Sequence, residues 1–433
     1  MKDWKDKKEF WITGAKIADP AGGRIRAGSV CVRKGEIAEI AWQKQIDSDL
    51  PVFDAEGAVL APGFIDVHAH LREPGFEDKE TIETGTAAAA AGGYTAVLCM
   101  ANTDPPVDDP SVVKYILRRA AEAGHCRVYV AGAVTKGLAG SDICEYRHLK
   151  EAGAVALSDD GRWVVNSRTM RSALEYARML GLPVIAHCED SFLAAGTQMN
   201  EGFTSTRLGL KGTPAASEEI AVSRDIMLAQ LTGAHLHVAH VSTKGSVDLI
   251  RAAKRRGVRV TAEATPHHLA LDETMLAGYD RSLKVNPPLR SREDVAALRA
   301  ALKDGTIDCI ATDHAPHSEI DKQVEFDLAP PGMTGLETAF ALLHTELVLG
   351  GQFDMITLLS LLTAGPARAL GLPGGTIAVG APADLALIDP AMKWIPERGK
   401  MRSRSNNTPL LGRELTGRVL GIFLEGSWKP GNI

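Results

Sequence analysis

The middle of the chain alternates short apolar runs with helical stretches, and this alternation constrains the fold more than any other feature. The apolar runs occupy residues 63–67, 95–100, 127–134, 155–157, 184–187, 235–240, 258–264 and 309–312. Helical patterns lie between most of them, as at residues 83–91, 111–123 and 169–180. Such alternation is typical of a parallel sheet, and about eight strand–helix units predict an α/β fold with a closed (β/α)8 TIM-like barrel.

Both chain ends have a different character. Residues 28–33 and 36–40 are short apolar runs around Lys34-Gly35, which predicts a β-hairpin. Residues 375–380, 383–390 and 417–428 have the same strand-like pattern near the C-terminus. Neither end is long enough for a large core of its own. We therefore expect residues 60–371 to form the barrel, and residues 1–59 and 372–433 to pack together as one small β-sandwich.

Composition argues against several classes of protein. The net charge of −6 over 433 residues gives no basic surface for nucleic acid. The first ten residues are charged, and no run of about 18 apolar residues follows, so we expect neither a signal peptide nor a membrane span. Six scattered cysteines without a Cys-x-x-Cys pair predict free thiols in a reducing cytoplasm.

Polar side chains follow most of the apolar runs. They are His68, His70 and Arg72 after the first, Asn102 after the second, Asp159 and Asp160 after the fourth, His187 after the fifth, His240 after the sixth, Asn286 beyond the seventh, and Asp313 and His317 after the eighth. In barrels of this type the active site lies at the carboxyl ends of the strands. We therefore expect these side chains to converge at one mouth of the barrel.

Four imidazoles with two or three carboxylates suit a divalent transition metal, and this ligand set favours zinc over magnesium or calcium. A metal with an open coordination position lowers the pKa of a bound water molecule, which predicts a hydroxide nucleophile at neutral pH. Asp313 would then carry a proton to a leaving nitrogen. Arg72 lies two residues beyond the His68–His70 pair, where a guanidinium can clamp a carboxylate with two hydrogen bonds.

Several neighbouring residues have a simpler interpretation. A single histidine is most often a hydrogen-bonded structural residue, and we assign that role to His125, His148, His235, His237 and His344. Strand alternation would also turn His235 and His237 away from His240. His267 and His268 suit a supporting role, and Cys188 suits the core. Residue chemistry alone does not separate Asp159 from Asp160 as the ligand.

Taken in order, these motifs resemble type I dihydroorotase, a family of the amidohydrolase superfamily. The resemblance is carried by His68-Ala-His70-Leu-Arg72, Asn102-Thr103, Asp159-Asp160-Gly161, His187-Cys-Glu-Asp190, His240-Val-Ser-Thr243, Asn286-Pro-Pro288-Leu-Arg290 and Ala311-Thr-Asp313-His-Ala-Pro-His317. It covers residues 59–368 and extends to both flanking segments. It implies reversible cyclisation of N-carbamoyl-L-aspartate to L-dihydroorotate, a step of pyrimidine synthesis.

The resemblance also implies a role for each site residue. His68, His70 and Asp313 would hold one zinc ion, His187 and His240 a second, and Asp160 would bridge the two, although a single zinc remains open. Arg72, Asn102 and His317 would bind the substrate carboxylate, with His70 beside it. Asn286 and the backbone of Pro331 and Gly332 would contact the ring. Residues 318–333 would form a loop that closes over the substrate.

Related enzymes act on neutral rings and are the nearest alternative. Hydantoinases, dihydropyrimidinases and allantoinases bridge their metals with a carboxylated lysine on strand four. This chain has no lysine between Lys150 and Lys211, which favours the type I dihydroorotase pattern. A non-catalytic protein that stabilises another pathway enzyme is a further alternative. The family also leaves open a homodimer and an association with aspartate carbamoyltransferase.

Overall fold

A computed structural model describes residue 4, residues 7–42, residue 46 and residues 49–431. Its strands are β1 (Glu9–Asp19), β2 (Arg24–Arg33), β3 (Glu36–Trp42), β4 (Val52–Asp54), β5 (Val59–Pro62), β6 (Phe64–Ala69), β7 (Tyr94–Cys99), β8 (Arg127–Gly132), β9 (Ala154–Ser158), β10 (Val184–Ala186), β11 (Met199–Asn200), β12 (Gly212–Thr213), β13 (Leu236–Val238), β14 (Val260–Ala264), β15 (Cys309–Ile310), β16 (Leu385–Trp394), β17 (Leu415–Leu424) and β18 (Ser427–Pro430).

The helices lie mainly between the barrel strands. They are α1 (Ile82–Ala91), α2 (Pro110–Ala123), α3 (Tyr146–Ala152), α4 (Ser167–Leu180), α5 (Phe203–Leu208), α6 (Ala216–Thr232), α7 (Lys244–Arg255), α8 (Pro266–Ala270), α9 (Arg292–Lys303), α10 (Glu319–Lys322), α11 (Ala339–Leu343), α12 (Met355–Leu362) and α13 (Ala364–Leu370). Short 3-10 turns occur at Lys136–Leu138, Glu273–Gly278 and Arg281–Leu283, and a π-helical turn at His344–Val348. Within the described ranges, no helix is both long and apolar enough to cross a membrane.

Eight parallel strands form the predicted barrel. Their order is β6-β7-β8-β9-β10-β13-β14-β15. The ring closes between its first and last strands, where the backbone N–H of His70 donates to the carbonyl of His314 at 2.9 Å. The barrel strands are buried along almost their whole length, which explains their nearly continuous apolar sequences. The expected (β/α)8 architecture is confirmed.

The two chain ends combine in a second sheet of eight strands. Its order is β18-β17-β16-β5-β1-β2-β3, with β4 beside β1, so a C-terminal block of strands joins an N-terminal block where β16 pairs with β5. The predicted hairpin is present as the antiparallel pair β2–β3. Aromatic side chains from both ends meet in its core; they include Phe10, Phe53, Phe423 and Trp428. The expectation that both ends build one β unit is therefore confirmed.

One strand prediction is wrong. Residues 375–380 contain no regular strand. Gly375 has a φ of 77° and Gly380 a φ of 83°, and such positive values are incompatible with a strand. Gly375 also packs so closely on Ala364 that a Cβ there would lie 2.8 Å from the Ala364 Cα. Gly375 therefore serves a turn that packs closely on the start of α13.

Side-chain caps fix the turns that leave the barrel strands. Thr243 accepts a hydrogen bond from the Ser246 N–H at the start of α7, and Thr265 caps α8 in the same way through the His268 N–H. Each cap lies within a few residues of the end of the preceding strand, β13 for Thr243 and β14 for Thr265. The strand ends are thus held rigidly, and the polar side chains that they carry lie at defined positions.

Candidate metal centre and active site

Six predicted ligand residues converge at the carboxyl ends of the barrel strands. They are His68 and His70 at the end of β6, Asp160 after β9, His187 after β10, His240 after β13 and Asp313 after β15. All six side chains are buried. The His68 Nε2 lies 3.2 Å from Asp160 Oδ1, and the His70 Nε2 lies 3.1 Å from Asp313 Oδ1. The structure therefore brings together all of the side chains expected to bind metal.

Their ligand atoms form two overlapping groups. One contains His68, His70 and Asp313, and the other contains His68, Asp160 and His240, with the ligand atoms of each group within 4.8 Å of one another. The His187 Nδ1 adjoins the second group, 2.9 Å from His240 Nε2. The carboxylate of Asp160 lies between them, with Oδ2 3.4 Å from His70 Nε2 and Oδ1 3.7 Å from His187 Nδ1.

Two buried atoms in this cluster have no hydrogen-bond partner among the described residues. They are Nε2 of His68 and Oδ1 of Asp160, which face each other. A buried polar atom without a partner is destabilising unless something else satisfies it. A divalent cation between imidazole nitrogens and carboxylate oxygens would satisfy both atoms. The donor set therefore fits a metal site, and nitrogen with oxygen ligands suits zinc.

The charges in the cluster also favour a bound cation. Burial opposes ionisation of Asp160, but the surrounding imidazoles His68, His187 and His240 outweigh it and hold the pKa of Asp160 well below its usual range. Burial likewise disfavours a charged His187, yet Asp160 and Glu189 raise the pKa of His187 to about 10. The centre of the cluster thus favours a positive charge, which a metal cation supplies without protonating the histidines.

Glu263 is a buried carboxylate at the site that the sequence analysis did not single out. Its Oε1 lies 2.6 Å from His68 Nδ1, and its Oε2 lies 3.1 Å from His237 Nε2. The backbone N–H of His240 also donates to this carboxylate at 3.2 Å. Burial opposes its charge, but the two imidazoles lower the pKa of Glu263 to about 2. A carboxylate that fixes the tautomer and orientation of a ligand histidine is a common support for metal sites.

The backbone is strained at three site residues. His240 has a φ of 32°, Asp313 a φ of 47° and Arg72 a φ of 62°. Side-chain-bearing residues rarely adopt this left-handed region, and such strain concentrates where a side chain must be aimed at a functional site. For His240 the strain also breaks strand alternation, because β13 ends at Val238.

The Arg72 guanidinium borders the cluster without a carboxylate partner. Its Nε donates to the Pro316 carbonyl at 3.1 Å. The acidic neighbour in sequence, Glu73, instead binds Arg119 and Tyr115, each at 2.9 Å. Across the described ranges, no carboxylate oxygen forms an ion pair with Arg72 within 4.0 Å. An unpaired, partly buried guanidinium is suited to bind an anionic group of a ligand.

The other residues expected to bind substrate lie around the same mouth. Asn102 Oδ1 lies 2.9 Å from His70 Nδ1, so the amide also orients a histidine that is expected to bind metal. The His317 Nε2 is 2.9 Å from the Pro331 carbonyl, and burial together with Arg72 lowers the pKa of His317 to about 3. His317 therefore adds a hydrogen-bonding ring rather than a second charge. The Asn286 amide donates to Glu189 at 3.2 Å, beside His187.

The choice between Asp159 and Asp160 is made by the fold. Asp159 turns away from the cluster and accepts hydrogen bonds from the Val134 and Thr135 backbone N–H groups at 2.8 and 3.0 Å. Asp160 faces the histidines.

Several other histidines have structural partners. Both His235 and His237 contact the Thr261 hydroxyl, one layer below the predicted metal ligands. His268 bonds to Thr265 and to the Pro287 carbonyl, and His344 to the Thr416 carbonyl.

Proteins that resemble this chain are found both among solved structures and among curated sequences. An L-hydantoinase (dihydropyrimidinase) from Arthrobacter aurescens superposes with a TM-score of 0.87 at 23% identity, over 98% of this chain and 96% of that one. That similarity shows the fold. A model of the amidohydrolase family matches residues 228–404, and a dihydro-orotase-like model matches residues 57–246. The fold, the cluster of predicted metal ligands and these models place the chain among amidohydrolase enzymes.

Curated relatives give the narrower group. A dihydroorotase from Anaeromyxobacter dehalogenans is 52% identical over 419 residues, which is 96% of each chain. A dihydroorotase from Pelotomaculum thermopropionicum is 52% identical over 415 residues, covering 96% of this chain and 97% of the relative. This chain belongs to the dihydroorotase family.

Proposed function

We propose that this site interconverts N-carbamoyl-L-aspartate and L-dihydroorotate, with the barrel, residues 60–371, as the catalytic unit. The observation that carries the proposal is the unpaired Arg72 guanidinium at the edge of a six-ligand cluster. A cyclic amide that enters this mouth meets a cation, and dihydroorotate has a carboxylate beside its ring amide. The chemistry of the ligand cluster and the charge of the substrate therefore match.

The proposal includes two zinc ions. His68, His70 and Asp313 would hold one, His187 and His240 the other, and Asp160 would bridge them. When bound, the metal activates a water molecule and polarises the amide carbonyl. Glu263 would keep His68 in the tautomer whose Nε2 is free to coordinate, because the Nδ1–H donates to the Glu263 carboxylate.

Asp313 would move the proton. Burial opposes its charge, but His70 and His68 hold the pKa of Asp313 well below its usual range, so it is ionised at neutral pH. In the hydrolytic direction, its carboxylate accepts a proton from the attacking water as the new C–O bond forms. It then delivers that proton to the ring nitrogen as the C–N bond breaks. The reverse sequence closes the ring.

Arg72, Asn102 and His317 would fix the substrate carboxylate, and Asn286 with the backbone of Pro331 and Gly332 would contact the ring. Because His317 is neutral in the free site, Arg72 supplies the charge that selects an anionic substrate. These contacts orient the amide towards the attacking oxygen, which lowers the entropic part of the barrier.

Substrate selectivity tests the proposal. Purified protein, with its zinc content measured on the same sample, is assayed with L-dihydroorotate and with 5,6-dihydrouracil, the same ring without the carboxylate. We expect turnover of dihydroorotate and a preference that Arg72→Met reduces by about 100-fold. The matched control is Arg171→Met, an exposed arginine paired with Glu175. Equal turnover of both substrates by the unaltered protein would instead support a hydantoinase-like activity.

Association states belong to the same proposal. A homodimer and a complex with aspartate carbamoyltransferase would each change the mass of the protein in solution. Sedimentation of the protein alone, and then mixed with that transferase, separates these cases.

A further inference from the structure

A C-terminal segment reaches back to the barrel mouth. Residues 403–407 follow β16 and precede β17, so their neighbours in sequence belong to the terminal sheet. Ser403 nevertheless donates to the buried Glu80 carboxylate at 2.5 Å, and the Arg404 N–H donates to it at 3.0 Å. Glu80 in turn lies 3.2 Å from the ring of His314, which follows Asp313. The segment therefore forms part of the wall behind the site.

Asn407 makes the closest contacts of this segment with the proposed substrate residues. It is 6% exposed. Its Oδ1 accepts from the His317 backbone N–H at 3.1 Å, and its Nδ2 donates to the Ala315 carbonyl at 3.1 Å and to the Gly332 carbonyl at 3.0 Å. One amide side chain thus joins three backbone groups.

These three groups lie at the two stems of the loop formed by residues 318–333. Ala315 and His317 precede the loop, and Gly332 lies at its C-terminal end. The stems also touch directly, through the Ala315 N–H and the Met333 carbonyl at 2.9 Å. The Asn407 backbone extends the link, because its carbonyl accepts from the Thr334 N–H at 3.0 Å. Asn407 therefore braces both stems at the point where the loop meets the mouth.

We propose that Asn407 is a positioning residue that sets substrate affinity by holding His317 and Gly332 at their places in the mouth. This rests on the proposed function, in which those two residues contact the substrate. The role requires an amide, because one acceptor faces an N–H and one donor group faces two carbonyls. An aspartate of the same shape would put a carboxylate oxygen against both carbonyls, and no donor would remain.

The effect should fall on binding rather than on chemistry. His317 and Gly332 would contact parts of the substrate that do not react, and the Asn407 side chain hydrogen-bonds to neither Asp313 nor the other residues expected to bind metal. Loss of a contact that is equally strong in the ground state and the transition state raises KM and leaves kcat unchanged. For Asn407→Asp we expect KM for L-dihydroorotate to rise by about 10- to 100-fold, with kcat within about threefold of the unaltered protein.

Asn166→Asp is the matched control. It makes the same substitution at an exposed side chain that caps α4, where its Oδ1 accepts from the Arg168 and Thr169 N–H groups and an aspartate caps equally well. We expect its KM to stay within about twofold of the unaltered protein. Asn407→Ser is a milder variant that keeps an acceptor for His317 and one donor, so its KM should be intermediate. It remains informative if Asn407→Asp folds poorly.

A double variant separates positioning from simple stabilisation. If Asn407 acts through His317, the KM increases of Asn407→Asp and His317→Ala should combine to much less than their product. A fully multiplicative increase, or a lower Tm with unchanged KM in both Asn407 variants, would overturn the inference. Absence of dihydroorotate turnover by the unaltered protein would instead refute the proposed function, so the two failures are distinguishable.

Discussion

The barrel mouth and the terminal sheet both enclose buried side chains, but those side chains are polar or charged in the mouth and apolar in the sheet. The mouth encloses carboxylates, imidazoles and a guanidinium, and it holds His240 and Asp313 in strained backbone conformations. The sheet encloses aromatic rings, with Phe423 4.8 Å from Trp428 and 5.2 Å from Phe53 between ring centroids. Buried charge gives little net stability, whereas buried apolar surface gives much. Substitutions should therefore affect activity in the first region and stability in the second.

The largest effect is expected in the mouth. Asp313→Ala should lower kcat by roughly 10⁴-fold, because it removes the proposed proton carrier. Activity and metal content are measured on one preparation. Near-normal kcat would contradict the proton-transfer role of Asp313.

The matching substitution in the sheet is Phe423→Ala. This side chain is fully buried, so its loss should lower the free energy of unfolding by about 3–5 kcal/mol. The kcat of the folded protein should be unchanged, as measured well below the unfolding midpoint. Phe203→Ala is the control, because that ring is 80% exposed and its removal should change stability by less than about 0.5 kcal/mol. A large loss of kcat in Phe423→Ala would contradict the expectation that the terminal sheet contributes to stability and not to activity.

A smaller effect is expected one layer behind the ligands. Glu263→Gln keeps the shape of the side chain but weakens its hydrogen bond with the His68 ring. We expect zinc affinity to fall by about 10- to 100-fold, as measured by competition with a chelator. Glu73→Gln alters a buried glutamate that binds Arg119 and Tyr115 instead of histidine, so its zinc affinity should be unaltered. Equal losses in both variants would indicate general destabilisation.

The smallest effect is expected for His235, in the lower layer of the barrel, and concerns how stability depends on pH. Burial, with help from His237 and Arg259, lowers the pKa of His235 to about 4. The unfolded chain has the ordinary value of about 6.5, so it binds a proton that the folded chain does not between these two pH values. Stability should therefore fall as the pH drops from about 6.5 to 4. His235→Gln should reduce that slope by up to about one proton, as measured from urea unfolding at several pH values. An unchanged slope would mean that His235 is not held neutral.

The fold and most of the candidate site follow from local patterns. Parallel strands joined by helices place their carboxyl ends on one side, so the sequence pattern alone predicts that His68, His187, His240 and Asp313 share one mouth. Glu263 carried a signal that was overlooked, namely a charged residue inside an otherwise apolar strand, which is rare without a buried partner. Residues 375–380 were assigned wrongly because a strand-like composition does not reveal positive φ angles at glycine.

Other features had no local signal. The contact between Glu263 and His68 joins residues 195 positions apart, and that between Asn407 and His317 spans 90 positions. Asp159 and Asp160 are chemically identical neighbours, and only the turn after β9 decides which one faces the histidines. No pattern within a few residues encodes such relations, because they depend on the register of distant strands and on the route of the chain between them.

The sequence by itself determined the barrel, the terminal β unit and the set of groups that meet at the mouth, because connectivity and periodicity act locally along the chain. The tertiary structure alone decided which atoms face one another there. It left Arg72 without a carboxylate, set Glu263 behind His68, and brought Asn407 from the terminal segment onto the loop stems. Those relations arise when the ring closes between His70 and His314, since only closure fixes the distances across the mouth.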